Sequence, residues 1–281
     1  MIVFKQIADL QKHLQSLKKE NKRVGFVPTM GALHQGHLSL IKLAQSFSDI
    51  VVCSIFVNPT QFNDSKDFDQ YPITIEQDIL LLEKQNTNIL FLPSISEIYP
   101  KEKQPLSTYH LGVIETVLEG SFRPGHFQGV CQVVDRLLEI VIPDNLFLGQ
   151  KDYQQVMIIQ KMIELKKHST KIIIGETLRE KTGLANSSRN LRLSENEKKN
   201  ATAIYQSLLF IKENIDKKPI LELQQEVSDR LLNSGFKHID YIAIVNAKTL
   251  QSIATFNKEV PTIALIAAFM GEVRLIDNLI L

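Results

Sequence analysis

One short stretch constrains this chain more than any other: Val27-Pro28-Thr29-Met30-Gly31-Ala32-Leu33-His34-Gln35-Gly36-His37-Leu38. Upstream, Arg23 to Val27 reads as a short apolar strand. Downstream, Leu38, Leu40, Ile41 and Ala44 recur at helical spacing. The segment is therefore a strand, a tight turn and a helix start. Gly31 and Gly36 carry no Cβ, so the backbone can turn sharply and a ligand can come close. A helix starting here points N–H groups and the positive end of its dipole out of a sheet, a ready phosphate site. His34 and His37, three apart, share one face of its first turn.

Several chemistries do not fit. A metalloprotease-type zinc helix needs histidines at i and i+4 with a glutamate between, and the glycine spacing matches neither the Rossmann fingerprint nor the P-loop. A net charge of +1 over 281 residues gives no nucleic-acid footprint. Apolar residues at 44% and charged residues at 22% are the balance of a soluble globular chain. Cys53 and Cys131 lack metal or redox spacing, and Cys53 lies in an apolar run and reads as core. With no disulfide framework, a reducing cytoplasm is the expected compartment. Met1 to Leu10 lacks the pattern of a signal peptide, and Val260 to Met270 is too short to cross a bilayer, so no membrane association is expected.

Along the chain, Lys5 to Glu20 reads as an amphipathic helix, with Ile7, Leu10, Leu14 and Leu17 on one side. Asp49 to Val57 is an almost unbroken apolar run, as in a parallel strand covered on both faces. Pro59 stops it and displays Asn58 and Gln61 beyond its C-terminal end, the edge where open α/β sheets bind ligands. Thr74 to Gln85 reads as helix, Asn88 to Leu92 as strand, and Ile95 to Pro105 as loop. Gly120 to Gly129 is a polar loop carrying Arg123 and His126, with a helix from Val130 to Ile140. Asp144 to Leu148 is a strand ending at Gly149-Gln150-Lys151-Asp152, followed by a helix through Lys166 and a strand from Thr170 to Glu176. This alternation predicts a mostly parallel sheet wrapped by helices.

The rhythm changes between Glu176 and Ser194, where Ser187-Ser188-Arg189-Asn190 offers hydroxyls and a guanidinium suited to a triphosphate. Ser194 to Glu197 is a capping box. It opens a helix striped by Ile204, Leu208, Ile211 and Ile215. A second helix from Pro219 stops at Gly235. Ile239 to Val245, Thr262 to Met270 and Arg274 to Leu281 read as strands. Two domains are expected, 1–176 and 177–281.

The glycine-flanked His-x-x-His resembles the His-x-Gly-His signature of the nucleotidylyltransferase superfamily, which reacts at the α-phosphate of ATP. The longer string from Pro28 to His37 resembles one family within it, pantothenate synthetase (pantoate–β-alanine ligase). Six further strings of that family follow in order: Asn58 to Phe62, Asp69 to Pro72, Arg123 to Phe127, Gly149 to Gln155, Ser187 to Asn190 and Arg274 to Asn278. The family usually has Met before Ser-Ser-Arg-Asn, where this chain has Asn186, and Phe269 to Glu272 is atypical.

The resemblance implies a Rossmann-like α/β domain that binds nucleotide and pantoate, then a smaller α+β lid domain. It implies ATP-dependent joining of pantoate and β-alanine through pantoyl adenylate, releasing pyrophosphate and then AMP. For ATP it implies Met30, Gly31, Ala32, Leu33, His34, Gln35, Gly36, His37, Gly149, Gln150, Lys151, Asp152, Leu178, Asn186, Ser187, Ser188 and Arg189. Within that set His34, His37 and Lys151 are the expected catalytic residues. His37 is the proton donor to the departing group and Lys151 stabilises the α-phosphate. Ser187, Ser188 and Arg189 fall on the β- and γ-phosphates, Gly149 and Asp152 on adenosine, and the Leu178 backbone on adenine. Gln61 and Gln155 orient pantoate, Gln61 also meets β-alanine, and Asn58 and Arg123 are second-line pantoate candidates. Mg²⁺ accompanies ATP, with Asp78 as its expected contact, and a homodimer is expected. The rival enzyme reading is another nucleotidylyltransferase; a relative of class I aminoacyl-tRNA synthetases is disfavoured by the absent RNA-binding charge and the short chain, and His34, His37 and Lys151 argue against an ATP-binding sensor without turnover, towards which Asn186 alone leans.

Overall fold

The computed structural model describes residues 1–62, 68–69, 71–100 and 106–281. Gln70 and Pro105 lie outside the described residues. The chain forms two compact units, 1–150 with 154–176, and 151–153 with 177–281.

The first unit is a six-stranded sheet, β1 (Ile2–Phe4), β2 (Val24–Thr29), β3 (Ile50–Ile55), β4 (Ile89–Phe91), β5 (Asn145–Gly149) and β6 (Lys171–Gly175), in the order β1-β4-β3-β2-β5-β6. Every recorded pairing is parallel. Side chains alternate across the pleat, so neighbouring residues enter different cores. Phe26, Val52, Phe91 and Leu146 pack on one face with Leu10 and Leu14 of the helix Ile7–Lys19, and with the helices His126–Val141 and Tyr153–Lys166. Val27, Cys53, Leu90 and Phe147 pack on the other with Ile41 and Ala44 of the helix Gln35–Phe47 and Leu82 of the helix Ile75–Lys84. This two-sided burial is why the strands read as apolar runs. Cys53 is fully buried, and loss of water pushes its thiol up to about 12.

Several expectations are corrected. The helix expected from Val130 starts at His126, because Gly125 (φ +80°) supplies the left-handed turn before it. The stretch after Ile95 opens with a helical turn, Ile95–Ile98, capped by Ser94 accepting from the N–H of Glu97. β1 was not anticipated, being three residues long with Ile2 and Val3 exposed.

The second unit carries β7 (Phe236–Asn246), β8 (Thr262–Met270) and β9 (Val273–Ile280) as an antiparallel sheet in sequence order. Ile244, Ala264 and Ile266 share a core with Ile204, Leu208, Leu223 and Val227. The expected capping box is present, with Ser194 Oγ accepting from Glu197 N–H and Glu197 accepting from Ser194 N–H at 2.9 Å. The helix it opens breaks at Thr202 into Glu195–Ala201 and Ala203–Asn214.

Candidate active site

Because β2, β3 and β5 are adjacent and parallel, the segments leaving their C-terminal ends emerge along one edge of the sheet. Strand order reverses between β2 and β5, the topological switch where such sheets open a crevice. The segment 30–37 follows β2, Asn58 and Gln61 follow β3, and Gly149 and Gln150 end and follow β5.

The segment after β2 is held from behind by a carboxylate 45 residues away. Gly31 (φ +80°) and Ala32 (φ +48°) both lie in the left-handed region, and a Cβ on Gly31 would come within 3.1 Å of Asp78 and Ile55. The Ala32 and Leu33 N–H groups donate to the two Asp78 oxygens at 2.9 and 2.8 Å, and Thr74 Oγ1 donates at 3.1 Å. Asp78 is 1% exposed. Its oxygens hold the backbone of this turn and the Thr74 hydroxyl.

His34 and His37 cap the helix Gln35–Phe47 reciprocally. Gly36 N–H donates to His34 Nδ1 at 3.1 Å, and His34 N–H donates to His37 Nδ1 at 3.3 Å. The rings lie 4.0 Å apart between centroids. Each Nδ1 is an acceptor, so each neutral ring carries its proton on Nε2. Main-chain N–H groups of Gly36 and His37 are used within the turn, the latter on His34 O at 2.9 Å.

Asn58 is likewise buried, at 1% exposure. Its Nδ2 donates to Gly129 O at 3.1 Å, and its Oδ1 accepts from Tyr99 OH at 2.9 Å and Thr60 Oγ1 at 3.1 Å. It braces the turn Pro59–Gln61. Burial raises the Tyr99 phenol, keeping it a donor there. Gln61 is half-buried at the end of this turn. Arg123 Nη1 lies 3.1 Å from His126 Nε2 and 3.9 Å from Glu119. Adjacent glutamines divide their work. Gln154, 3% exposed, accepts from Glu119 N–H and donates to the carbonyls of Ile114 and Val117, whereas Gln155 is half-buried.

The remaining candidates belong to the second unit. Lys151 and Asp152 join it through the Lys151 carbonyl, which accepts from Asn278 Nδ2 at 2.8 Å, and through Tyr153 OH, which donates to Ala247 O at 2.9 Å. Lys151 Nζ stands 3.7 Å from Asp152 Oδ1. Residues 179–185 form a short turn closed by the Arg179–Ala185 bridge, and Ser188–Arg192 is a 3₁₀ turn. Arg179 anchors it: its guanidinium forks onto Asp277 at 2.5 and 2.9 Å and lies 3.7 Å over the Tyr205 ring. Asn186 donates to the Leu178 carbonyl twice, from its main-chain N at 3.0 Å and from Nδ2 at 3.1 Å. Ser187 caps the turn Ser188–Arg192 by accepting from Arg189 N–H at 3.3 Å.

Sequence reasoning missed Asp78 as a brace, Gln154 and the Arg179–Asp277 pair. The closing Arg274-to-Asn278 string was the one available signal for the last, since it ends in Asp277 and Asn278.

A model of the family described as Pantoate-beta-alanine ligase matches residues 2–280. The chain is 42% identical over 279 residues to "Pantothenate synthetase" of Bacteroides thetaiotaomicron, covering 99% of this chain and 98% of the relative. The solved pantothenate synthetase of Thermus thermophilus superposes with a TM-score of 0.92 at 36% identity, covering 99% of each chain. Pantoate-beta-alanine ligase from Francisella tularensis, solved with "Beta-gamma ATP and Beta-alanine", superposes with a TM-score of 0.83 at 40% identity, covering 100% of this chain and 97% of that one. A shared fold, a family match along almost the whole length and the His34–His37 turn agree: this chain belongs to the pantoate–β-alanine ligase family.

Proposed function

We propose that the chain condenses pantoate with β-alanine in two steps, with its own residues in the following roles. A pantoate carboxylate oxygen attacks the α-phosphorus of ATP, forming pantoyl adenylate and expelling pyrophosphate. The β-alanine amine then attacks the acyl carbon, loses a proton, and AMP departs with the carboxylate oxygen. The reciprocal capping of His34 and His37 is the observation that carries this reading. It fixes both rings with Nε2–H as a hydrogen-bond donor, the form that stabilises the charge that develops on the departing pyrophosphate, which leaves as its anion.

A carboxylate is already nucleophilic, so the first step needs alignment and charge neutralisation rather than a strong base. Met30 to His37, with Gly149 and Gln150, border the nucleotide. Lys151 neutralises the α-phosphate, while Ser187, Ser188 and Arg189 take the β- and γ-phosphates. Asp152 accepts from a ribose hydroxyl and the Leu178 main chain meets adenine. Gln61 and Gln155 hydrogen-bond pantoate, and Gln61 also meets β-alanine. The Francisella relative's complex with Beta-gamma ATP and Beta-alanine supports two of the three substrates. Mg²⁺ enters as the counter-ion of ATP. Among the described residues no group of three His, Cys, Asp or Glu is placed to hold a metal, and Asp78 is committed to backbone.

We assign the chain to the cytoplasm as a homodimer, on family resemblance. None of its described helices is long and apolar enough to cross a membrane. Light scattering tests the dimer.

The test is product analysis from ATP, Mg²⁺ and pantoate, with and without β-alanine. Pyrophosphate should form with pantoate alone, and free AMP with pantothenate only on adding β-alanine. AMP release that ignores the amine would overturn the assignment.

A further inference from the structure

The main-chain carbonyl of Gln61 accepts from a buried histidine. His126 is 5% exposed, its Nδ1 is 2.8 Å from Gln61 O, and its Nε2 is 3.1 Å from Arg123 Nη1. A guanidinium has donors and no acceptor, so Nε2 must be the acceptor and the ring proton lies on Nδ1. Arg123 donates to His126, and His126 donates to Gln61. Removing Arg123 would allow the other tautomer, whose bare Nδ1 would face the carbonyl oxygen with no proton between them.

The rest of the turn is fixed by other means. A Cβ on Gly129 would fall 2.1 Å from Thr60 O, so the helix His126–Val141 and the turn Pro59–Gln61 approach as only glycine permits. Asn58 clamps Gly129 O and Thr60. These contacts hold residues 58–60, and Gly129 also comes up against the Gln61 Cα. Gln61 itself is tied by a long bond from its N–H to Asn58 O, 3.3 Å, and by the 2.8 Å bond from His126.

We propose that His126 is a positioning residue for the ligase reaction: it fixes Gln61 through the main-chain carbonyl, and Arg123 fixes the tautomer that lets it do so. This rests on the assignment of Gln61 to pantoate and β-alanine. It moves Arg123 from a substrate contact to a residue acting two bonds behind one.

The experiment is steady-state kinetics on the full-length protein, with thermal melts, for Gln61→Ala, His126→Leu, His126→Asn, Arg123→Met and the double variant Gln61→Ala/His126→Leu. His126→Leu should raise KM for pantoate about tenfold, with KM for ATP within about twofold. His126→Asn places an amide N–H where Nδ1–H stood and should recover pantoate KM to within about threefold of the parent. Arg123→Met should raise it about threefold. The double variant should be no worse than Gln61→Ala alone, because His126 acts through that residue. An unchanged pantoate KM in His126→Leu, multiplicative losses in the double variant, or no recovery in a His126→Asn protein that melts normally would each overturn the proposal. If Gln61→Ala leaves pantoate and β-alanine KM unchanged, the assignment of Gln61 falls and takes the proposal with it. If Gln61→Ala raises them and His126→Leu does not, the proposal alone falls. Should His126→Leu fail to fold, Arg123→Met decides, and an unchanged pantoate KM there overturns the proposal.

Discussion

The two segments assigned to the nucleotide are held in different ways. In residues 30–37 main-chain N–H groups donate to side chains: Ala32 and Leu33 to the buried Asp78 carboxylate, Gly36 and His34 to the two histidine rings. Residues 178–190 combine main-chain bonds across the Arg179–Ala185 bridge with side-chain anchors: one Arg179–Asp277 fork, a ring under the guanidinium, and an asparagine amide on the Leu178 carbonyl. The first segment takes much of its shape from a carboxylate on a distant helix, and the second from anchors of its own, Arg179 and Asn186.

Predictions that break or sharpen this contrast run from large to small. His37→Ala and Lys151→Ala should each lower kcat/KM by about 10²–10³-fold, with an unchanged melting temperature for Lys151→Ala and a small fall for His37→Ala, whose ring also caps the helix start. A variant with full turnover would strike that residue from the mechanism. Asp78→Ala should lower both activity and stability, the latter by about 3 kcal/mol in denaturant titration, because two buried N–H groups lose their acceptor. Asp277→Ala leaves Arg179 without its partner and should also cost about 3 kcal/mol, but its kinetic effect should fall on KM for ATP rather than on kcat. Equal kinetic damage from Asp78→Ala and Asp277→Ala would erase the distinction between the segments. Asn186→Met removes one donor from the Leu178 carbonyl and should shift KM for ATP by about twofold to fivefold with kcat intact.

The smallest effect lies away from both segments, at Asp135. Burial alone would raise this carboxyl, but bonds from His168 at 2.6 Å, Tyr109 at 2.7 Å and Lys166 at 3.1 Å outweigh it and hold it below the ordinary 3.8. Between that value and the lower folded one, the unfolded chain binds more protons. The contribution is therefore complete above 3.8 and lost as pH falls through the folded value. Acid melts of Asp135→Asn should show a shallower loss in this window than the parent.

What the sequence revealed follows from distance along the chain. The His34–His37 turn was legible because glycines, histidines and helix start sit within a dozen residues. The parallel sheet was legible because two-sided burial writes itself as Val, Ile and Phe runs such as Ile50–Ile55. The braces were not. Asp78 reaches Leu33 from 45 residues away, His126 reaches Gln61 from 65, and Asp277 reaches Arg179 from 98. Local pattern carries no trace of such bonds, and Asp78 reads as an ordinary acidic residue in the first turn of a helix. Nor does local pattern show that Asn58 is buried and clamps Gly129 from 71 residues away. It also hid that Lys151 and Asp152 pack with residues beyond Glu176, through Asn278.

Isotope transfer tests the central claim, that pantoate is activated as its adenylate, most directly. Pantoate labelled with ¹⁸O in its carboxylate, turned over with ATP and β-alanine, should yield AMP carrying one ¹⁸O on phosphorus and unlabelled pyrophosphate. Label in inorganic phosphate, or unlabelled AMP, would contradict the account.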